Sequence, residues 1–220
     1  IEKRGVPRNK IQFWPQYAED FYQVIGNKPD NKTVKELSIV FTGNIGAAQG
    51  LEILPLVAAR IKIMELPQKI VFTLVGDGRY KSELKKIIFD QDLSEYFYFI
   101  DRQPAEKIPE ILSKHDVALL TLANDKLFSM TIPAKLQSYM ACGMPIIGSV
   151  SGESSNIIQE SHSGMTSSPE DVEMFIKNLL RFSEISKKDL NIMGANSREY
   201  YEQNFNKDKL LKKMDLELEN

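Results

Sequence analysis

Three turns in this 220-residue chain combine glycine with helix starts and cations, a set of residue types suited to an anionic ligand. The first is Thr42-Gly43-Asn44-Ile45-Gly46-Ala47-Ala48-Gln49-Gly50. Glycine lets the backbone turn sharply and lets a ligand approach it, and a helix beginning here would present unpaired N–H groups and the positive end of its dipole. The spacing is not a dinucleotide fingerprint, and no Gly-Lys-Ser/Thr is present for a phosphate loop of the Walker type. A tight strand-to-helix turn without a ligand fits the same residues equally well.

The second turn is Leu127 to Met140, LFSMTIPAKLQSYM. Pro133 suits a first helical turn, and Thr131 is the expected N-cap. Lys135 is then a cation facing the positive end of a helix dipole, an arrangement that costs a few tenths of a kcal/mol or more. An anion held by Lys135 together with the helix amides reverses that cost, whereas a solvated lysine simply tolerates it. A second anion-friendly turn after another strand favours the phosphate. The third turn, Gly76-Asp77-Gly78-Arg79 followed by Lys81, reads better as a plain turn. Arg102, just past a strand, either donates to a phosphate or base or pairs with a neighbouring carboxylate.

Other reactive residue types form no constellation. His115 falls at the opposite end of the sheet from the crevice and His162 in a late polar loop, so no metal-ligand spacing appears. Ser129, Ser149 and Ser151 lack a nucleophile elbow. Cys142 reads as a small core residue, and Glu153 follows a strand with no assigned role.

These turns need a scaffold, and the hydropathy pattern supplies one. Leu37–Thr42 is a nearly continuous apolar run, as expected of a strand covered on both faces. From Ala47, apolar residues at helical spacing run to Ile63. The pattern then repeats: strand Ile70–Val75 and helix Tyr80–Phe89, strand Tyr96–Ile100 and helix Ala105–Lys114, strand Val117–Leu122, helix Pro133–Ala141, strand Pro145–Ser149. A short run at Gly164–Thr166 precedes helices Pro169–Phe182, Lys187–Tyr201 and Lys207–Leu218, the last charge-rich. Alternating strands and helices predict an α/β fold, a Rossmann-like doubly wound parallel sheet with C-terminal helices. Ligands in such sheets bind outside the carboxyl ends of the strands, where the turns above lie.

Composition narrows the field further. With 42% hydrophobic and 26% charged residues the chain is globular in type, and 220 residues bury a sizeable core. A formal charge of −2 offers no basic surface to a nucleic acid. One cysteine excludes an internal disulfide and suits a reducing compartment. No apolar run reaches the roughly 20 residues of a membrane span. The start at Ile1 has neither an initiator Met nor a signal-peptide core, and reads as mid-protein sequence.

Taken in order, FTGNIGAAQGLEIL, FTLVGDGRYKSELKKI, FIDRQPAEKIPEILSKHDVALLTL and IPAKLQSYMACGMPIIGSVSGESSNIIQESHSGM resemble the C-terminal, nucleotide-sugar-binding domain of GT-B glycosyltransferases of family 4. The opening RGVPRNKIQFWPQYAEDFY looks like the segment leaving the interdomain linker (about 1–35), and SREYYEQNFNKDKLLKKM looks like the closing helices (about 184–220). IPAKLQSYMACG and GNIGAAQG are most similar to bacterial capsule or O-antigen transferases, among them fucosamine-type amino-sugar transferases. The resemblance implies a nucleoside-diphosphate-sugar donor, UDP-linked in the first instance, retention of anomeric configuration, and no metal or other cofactor. It implies that Gly43, Asn44, Gly46 and Gln49 lie on one side of the diphosphate and Lys135 with the Thr131–Pro133 backbone on the other. Arg102 and Gln103 would lie near the base, Ser138 near the ribose, and Met130 near the sugar through its backbone.

The chain departs from that pattern at four positions. Asn44 and Gln49 stand where many relatives carry Arg and Lys, and Met130 and Ser138 stand where the family carries paired glutamates. Catalytic residues are therefore not assigned. The resemblance also implies an N-terminal acceptor domain outside these residues, a glycan or lipid-linked acceptor, and a cytoplasmic protein peripheral to the inner face of the membrane. Lys207, Lys209, Lys212 and Lys213 read first as a solvated helix face. An epimerase-type GT-B enzyme and a non-catalytic nucleotide-sugar or partner-binding module are the alternative functions.

Overall fold

A computed structural model describes residues 4–26 and 36–219. Six strands form one parallel sheet: β1 (Glu36–Thr42), β2 (Lys69–Val75), β3 (Phe97–Ile100), β4 (Val117–Thr121), β5 (Ile146–Ser149) and β6 (Gly164–Ser167), in the order β3-β2-β1-β4-β5-β6. Nine α-helices accompany them among the described residues. They are α1 (Ile53–Ile61), α2 (Lys81–Asp90), α3 (Ile108–Ser113), α4 (Lys126–Ser129), α5 (Ala134–Ala141), α6 (Glu153–Glu160), α7 (Val172–Glu184), α8 (Lys187–Asn204) and α9 (Lys207–Leu218).

Alternation of side chains along each strand sends apolar groups to both faces, and each face has its own core. Leu37, Ile39 and Phe41 of β1 pack with Ile70, Phe72 and Leu74 under α1, α2 and α7. Val40, Val75, Ala118 and Leu120 pack on the opposite face with Leu112 of α3, Tyr139 of α5 and Ile158 of α6. Strands buried on both faces are what the nearly continuous apolar runs at 37–42 and 70–75 lead one to expect. The last helix, α9, buries only Leu210, consistent with its charge-rich sequence.

The sequence reading and the structure differ in four local places. The helix expected from Ala47 is a single 3-10 turn at Ala47–Gln49, and α1 begins only at Ile53. Gly50 forces the break: it sits at φ +60°, and a Cβ there would lie 2.7 Å from the Leu122 carbonyl oxygen. Thr131 does not cap α5. Pro133 occupies the N-cap position, and the Thr131 hydroxyl donates to the Phe128 carbonyl at 3.2 Å. Helices α4 and α6 were not anticipated, because both are short and polar enough to escape a periodicity test. Asp125, which accepts from Leu127 N–H at 2.7 Å, starts the first of them.

β1 pairs in parallel with β2 on one side and β4 on the other. The order of connections therefore reverses between β1 and β4, and this switch point is where an open α/β sheet leaves a crevice beyond its carboxyl edge.

Candidate nucleotide-binding site

A cavity of about 660 Å³ opens at that edge. Gly43 and Asn44 after β1, Gly76, Asp77 and Gly78 after β2, and Arg102 and Gln103 after β3 line it. Ala134, Lys135 and Ser138 of α5 supply the facing wall, and Tyr22 joins them from the opening segment.

Two glycine turns interlock to form the floor. The Gly43 N–H donates to the Val75 carbonyl at 2.9 Å, and the Ile45 N–H donates to the Asp77 carbonyl at 2.8 Å. Gly76 lies at φ +147°, and a Cβ on it would stand 1.8 Å from the Gly43 carbonyl oxygen. Such an approach admits only glycine. The Asn44 side chain lies against both Gly46 and Gly78, within 2.7 Å and 2.6 Å of where their Cβ atoms would be. The Gly76–Gly78 turn, read from sequence as a plain turn, is thus part of the cavity.

Helix α5 is fastened to the sheet by Tyr139. This ring is fully buried, and its hydroxyl oxygen accepts from the Thr42 N–H at 2.9 Å at the last residue of β1. The bond places the first turn of α5, with its unpaired amides, beside Gly43. Lys135 follows one residue into the helix. Its Nζ lies 4.0 Å from the centroid of the Phe41 ring and donates to the Gln49 side-chain oxygen. Among the described residues no carboxylate pairs with it. The residue as a whole is half-buried, but its ammonium end is deep, and burial pulls its pKa down to about 7. A lysine without a carboxylate partner at the positive end of a helix is unfavourable in the empty site and favourable beside an anion.

Behind the β2 and β3 turns, the buried Lys81 donates to the Gly76 carbonyl at 2.8 Å and to Asp101 Oδ1 at 2.7 Å. It ties the turn that meets Gly43 to the loop carrying Arg102. The guanidinium of Arg102 is exposed and takes part in no ion pair among the described residues, so it is available at the rim.

Of the residues singled out from sequence, Gly43, Asn44, Arg102, Gln103, Lys135 and Ser138 meet at the cavity. Gln49 reaches it only through Lys135. Gly46, Met130, Thr131 and Pro133 do not line it; Gly46 makes room for the Asn44 side chain, and Met130 is 60% exposed on the loop beyond α4. His115 lies away from the cavity, with Nδ1 2.8 Å from the Ile111 carbonyl oxygen. Two residues that matter were not found from sequence. Tyr139 reads as an ordinary core aromatic, and Tyr22 lies far from every turn along the chain. Among the described residues there is no group of three His, Cys, Asp or Glu able to hold a metal ion. No helix among them is long and apolar enough to cross a membrane.

The sheet order and the crevice at its switch point define a Rossmann-like α/β unit of the GT-B kind. Solved structures agree on that fold: TarM of S. aureus, as a mutant in complex with fondaparinux, alpha-GlcNAc-glycerol and UDP, superposes with a TM-score of 0.68 at 14% identity over 90% of this chain and 37% of its own. Anabaena HepE in complex with UDP-glucose gives 0.68 at 17% identity, over 84% of this chain and 49% of its own. Residues 36–184 match the family described as glycosyl transferases group 1, and the chain belongs to that family. Among curated proteins, the putative colanic acid biosynthesis glycosyl transferase WcaI of Escherichia coli K12 is 28% identical over 155 residues, 65% of this chain and 35% of that protein. WcaL, a putative colanic acid biosynthesis glycosyltransferase of the same organism, is 22% identical over 207 residues, 94% of this chain and 50% of that protein. The chain thus spans about a third to a half of the length of these relatives.

Proposed function

We propose that this chain forms the donor site of a retaining glycosyltransferase that takes a UDP-linked sugar and passes it to a glycan or lipid-linked acceptor in bacterial surface polysaccharide synthesis. The observation that carries the reading is Lys135 at the start of α5, a buried amine with no carboxylate partner among the described residues, facing the Gly43 turn across the cavity of the switch point. That arrangement suits a diphosphate. The relatives named for colanic acid biosynthesis and the neighbours solved with UDP or UDP-glucose support the acceptor class and the base.

In this reading the reaction separates the sugar from the diphosphate, and negative charge grows on the leaving oxygens. Lys135 Nζ and the amides of the first turn of α5 are aimed where that charge develops, a form of electrostatic stabilisation that needs no metal ion. Arg102 adds a cation at the rim. Asn44 and Gln49 are neutral, so the cations lining the cavity are Lys135 and Arg102. The acceptor and any further catalytic groups would come from sequence outside these residues.

Calorimetric titration with UDP, GDP, ADP and UDP-glucose, comparing the native chain with Lys135→Met, tests the donor site. Saturable binding selective for uracil is expected, weakened roughly 10- to 100-fold in the variant, as for loss of a charged hydrogen-bond partner. No binding by the folded chain, or equal affinity in the variant, overturns the reading.

A further inference from the structure

Lysine ends in a compact ammonium on a flexible stem, so a lysine that serves a site needs something to hold its tip there. The stem of Lys135 runs over Gly43, with Cε 3.4 Å and Nζ 3.7 Å from the position of a Cβ on that residue. Nζ lies 4.0 Å from the centroid of the Phe41 ring. It donates to Gln49 Oε1, its one hydrogen-bond acceptor among the described residues. A ring face attracts a cation over a broad area, whereas an amide carbonyl accepts along its lone pairs. Gln49 is therefore the contact that fixes where Nζ points.

Gln49 is itself held. It ends the 3-10 turn Ala47–Gln49, where its N–H donates to the Gly46 carbonyl at 2.9 Å. On one side the Ala48 carbonyl accepts from the Ala123 N–H at 3.1 Å. On the other, Gly50 brings the turn against the Leu122 carbonyl, 2.7 Å from where its Cβ would be. The backbone just beyond β4 thus clamps the turn around Gln49. The Gln49 side chain does not line the cavity, so whatever it does for a ligand it does through Lys135. Its amide also carries no charge. A carboxylate in the same place would hold the ammonium but cancel the charge an anion meets, and would repel the anion as well. An ammonium has three N–H bonds, and with one given to Gln49 the others are left for a ligand. The remaining titratable groups that line the cavity are Asp77, Arg102 and Tyr22, and none of them hydrogen-bonds to Lys135.

We propose that Gln49 is a positioning residue for the donor's diphosphate: its neutral side-chain carbonyl holds Lys135 Nζ at the cavity without cancelling the charge the diphosphate meets. This rests on the donor-site reading above. The test is calorimetry with UDP-glucose on the native chain, Gln49→Met, Gln49→Glu, Lys135→Met and the double variant Gln49→Met/Lys135→Met. Gln49→Met keeps the bulk and removes the acceptor, and at pH 7 it should weaken binding roughly five- to tenfold, as for loss of one hydrogen bond. In the Lys135→Met background the same change should alter affinity by less than about twofold, because no ammonium is left to position. A part played in packing, or a direct contact with the ligand, would cost as much in both backgrounds. Gln49→Glu gives a second readout that packing does not move. Its carboxylate keeps Lys135 protonated in the empty site, so the proton taken up on binding at pH 8 should fall from about 0.9 to near zero. Equal losses in the two backgrounds, no loss in Gln49→Met, or uptake unchanged in Gln49→Glu each overturn the proposal. If Lys135→Met weakens binding and Gln49→Met does not, the donor site stands and the role of Gln49 falls. Absence of UDP-glucose binding, or equal affinity in Lys135→Met, removes both.

Discussion

Binding of a nucleotide sugar should draw a proton onto Lys135, and the amount follows from the site. Burial holds this ammonium at a pKa of about 7 in the empty cavity. About nine-tenths of the molecules would then carry a neutral lysine at pH 8, about half at pH 7 and about one-tenth at pH 6. A phosphate charge about 4 Å from Nζ is worth about 4 kcal/mol at an effective dielectric constant near 20. That equals about three powers of ten in proton affinity, enough to restore the ordinary lysine range. Uptake of about 0.9 proton at pH 8, falling to about 0.1 at pH 6, is expected. The assay is calorimetry with UDP-glucose in two phosphate-free buffers of different ionisation enthalpy, whose contribution scales with the protons exchanged. A UDP-sugar is preferable to UDP, because a terminal phosphate titrates near pH 6 and would add its own protons. Lys135→Met keeps an apolar stem over the Phe41 ring and removes the titrating group, so uptake should vanish. A binding enthalpy independent of buffer at pH 8 in the native chain, or equal uptake in the variant, would refute the reasoning.

Further tests address how the cavity is built. Tyr139→Phe removes the acceptor of the buried Thr42 N–H, and should cost about 1–3 kcal/mol, the penalty of a buried unpaired donor; an unchanged urea midpoint would contradict the assigned role. Gly76→Ala must place a Cβ against the Gly43 carbonyl, where only 1.8 Å is available, so the two turns separate. Loss of at least about 2 kcal/mol of stability, together with loss of nucleotide binding, is expected by urea unfolding and calorimetry. Met130→Ala should leave affinity for UDP-glucose within twofold, since the side chain is exposed and outside the cavity; a tenfold loss would return Met130 to the site.

Much of the architecture can be read locally. Short apolar runs such as 37–42 and 70–75, each closed by a Gly-containing turn, read as strands buried on both faces, and the spacing of apolar residues in 81–90 or 172–184 reads as a helix with one buried side. Glycines and cations after strands therefore mark the ligand edge of the sheet, which is how Gly43 with its neighbour Asn44, Arg102 and Lys135 stand out in the sequence, whereas Gln103 and Ser138 were implied only by the family resemblance. Local pattern failed where contact with a distant backbone took over. The helix start moved to Ile53 because Gly50 meets Leu122, a residue that no window around position 50 contains.

The layers, the parallel sheet and its ligand-facing edge were thus legible along the chain, since propensity and periodicity act over a few residues. Which residues line the cavity depended on long-range packing. The β3-β2-β1-β4-β5-β6 order makes neighbours of strand ends far apart along the chain, so the Gly76 turn closes on Gly43 and Tyr139 fastens α5 to β1. The same long-range packing desolvates Lys135 over Phe41 and brings the segment of Tyr22, held by α8 and α9, to the cavity. Burial and proton affinity are properties of that assembly, because they depend on which surfaces exclude water together.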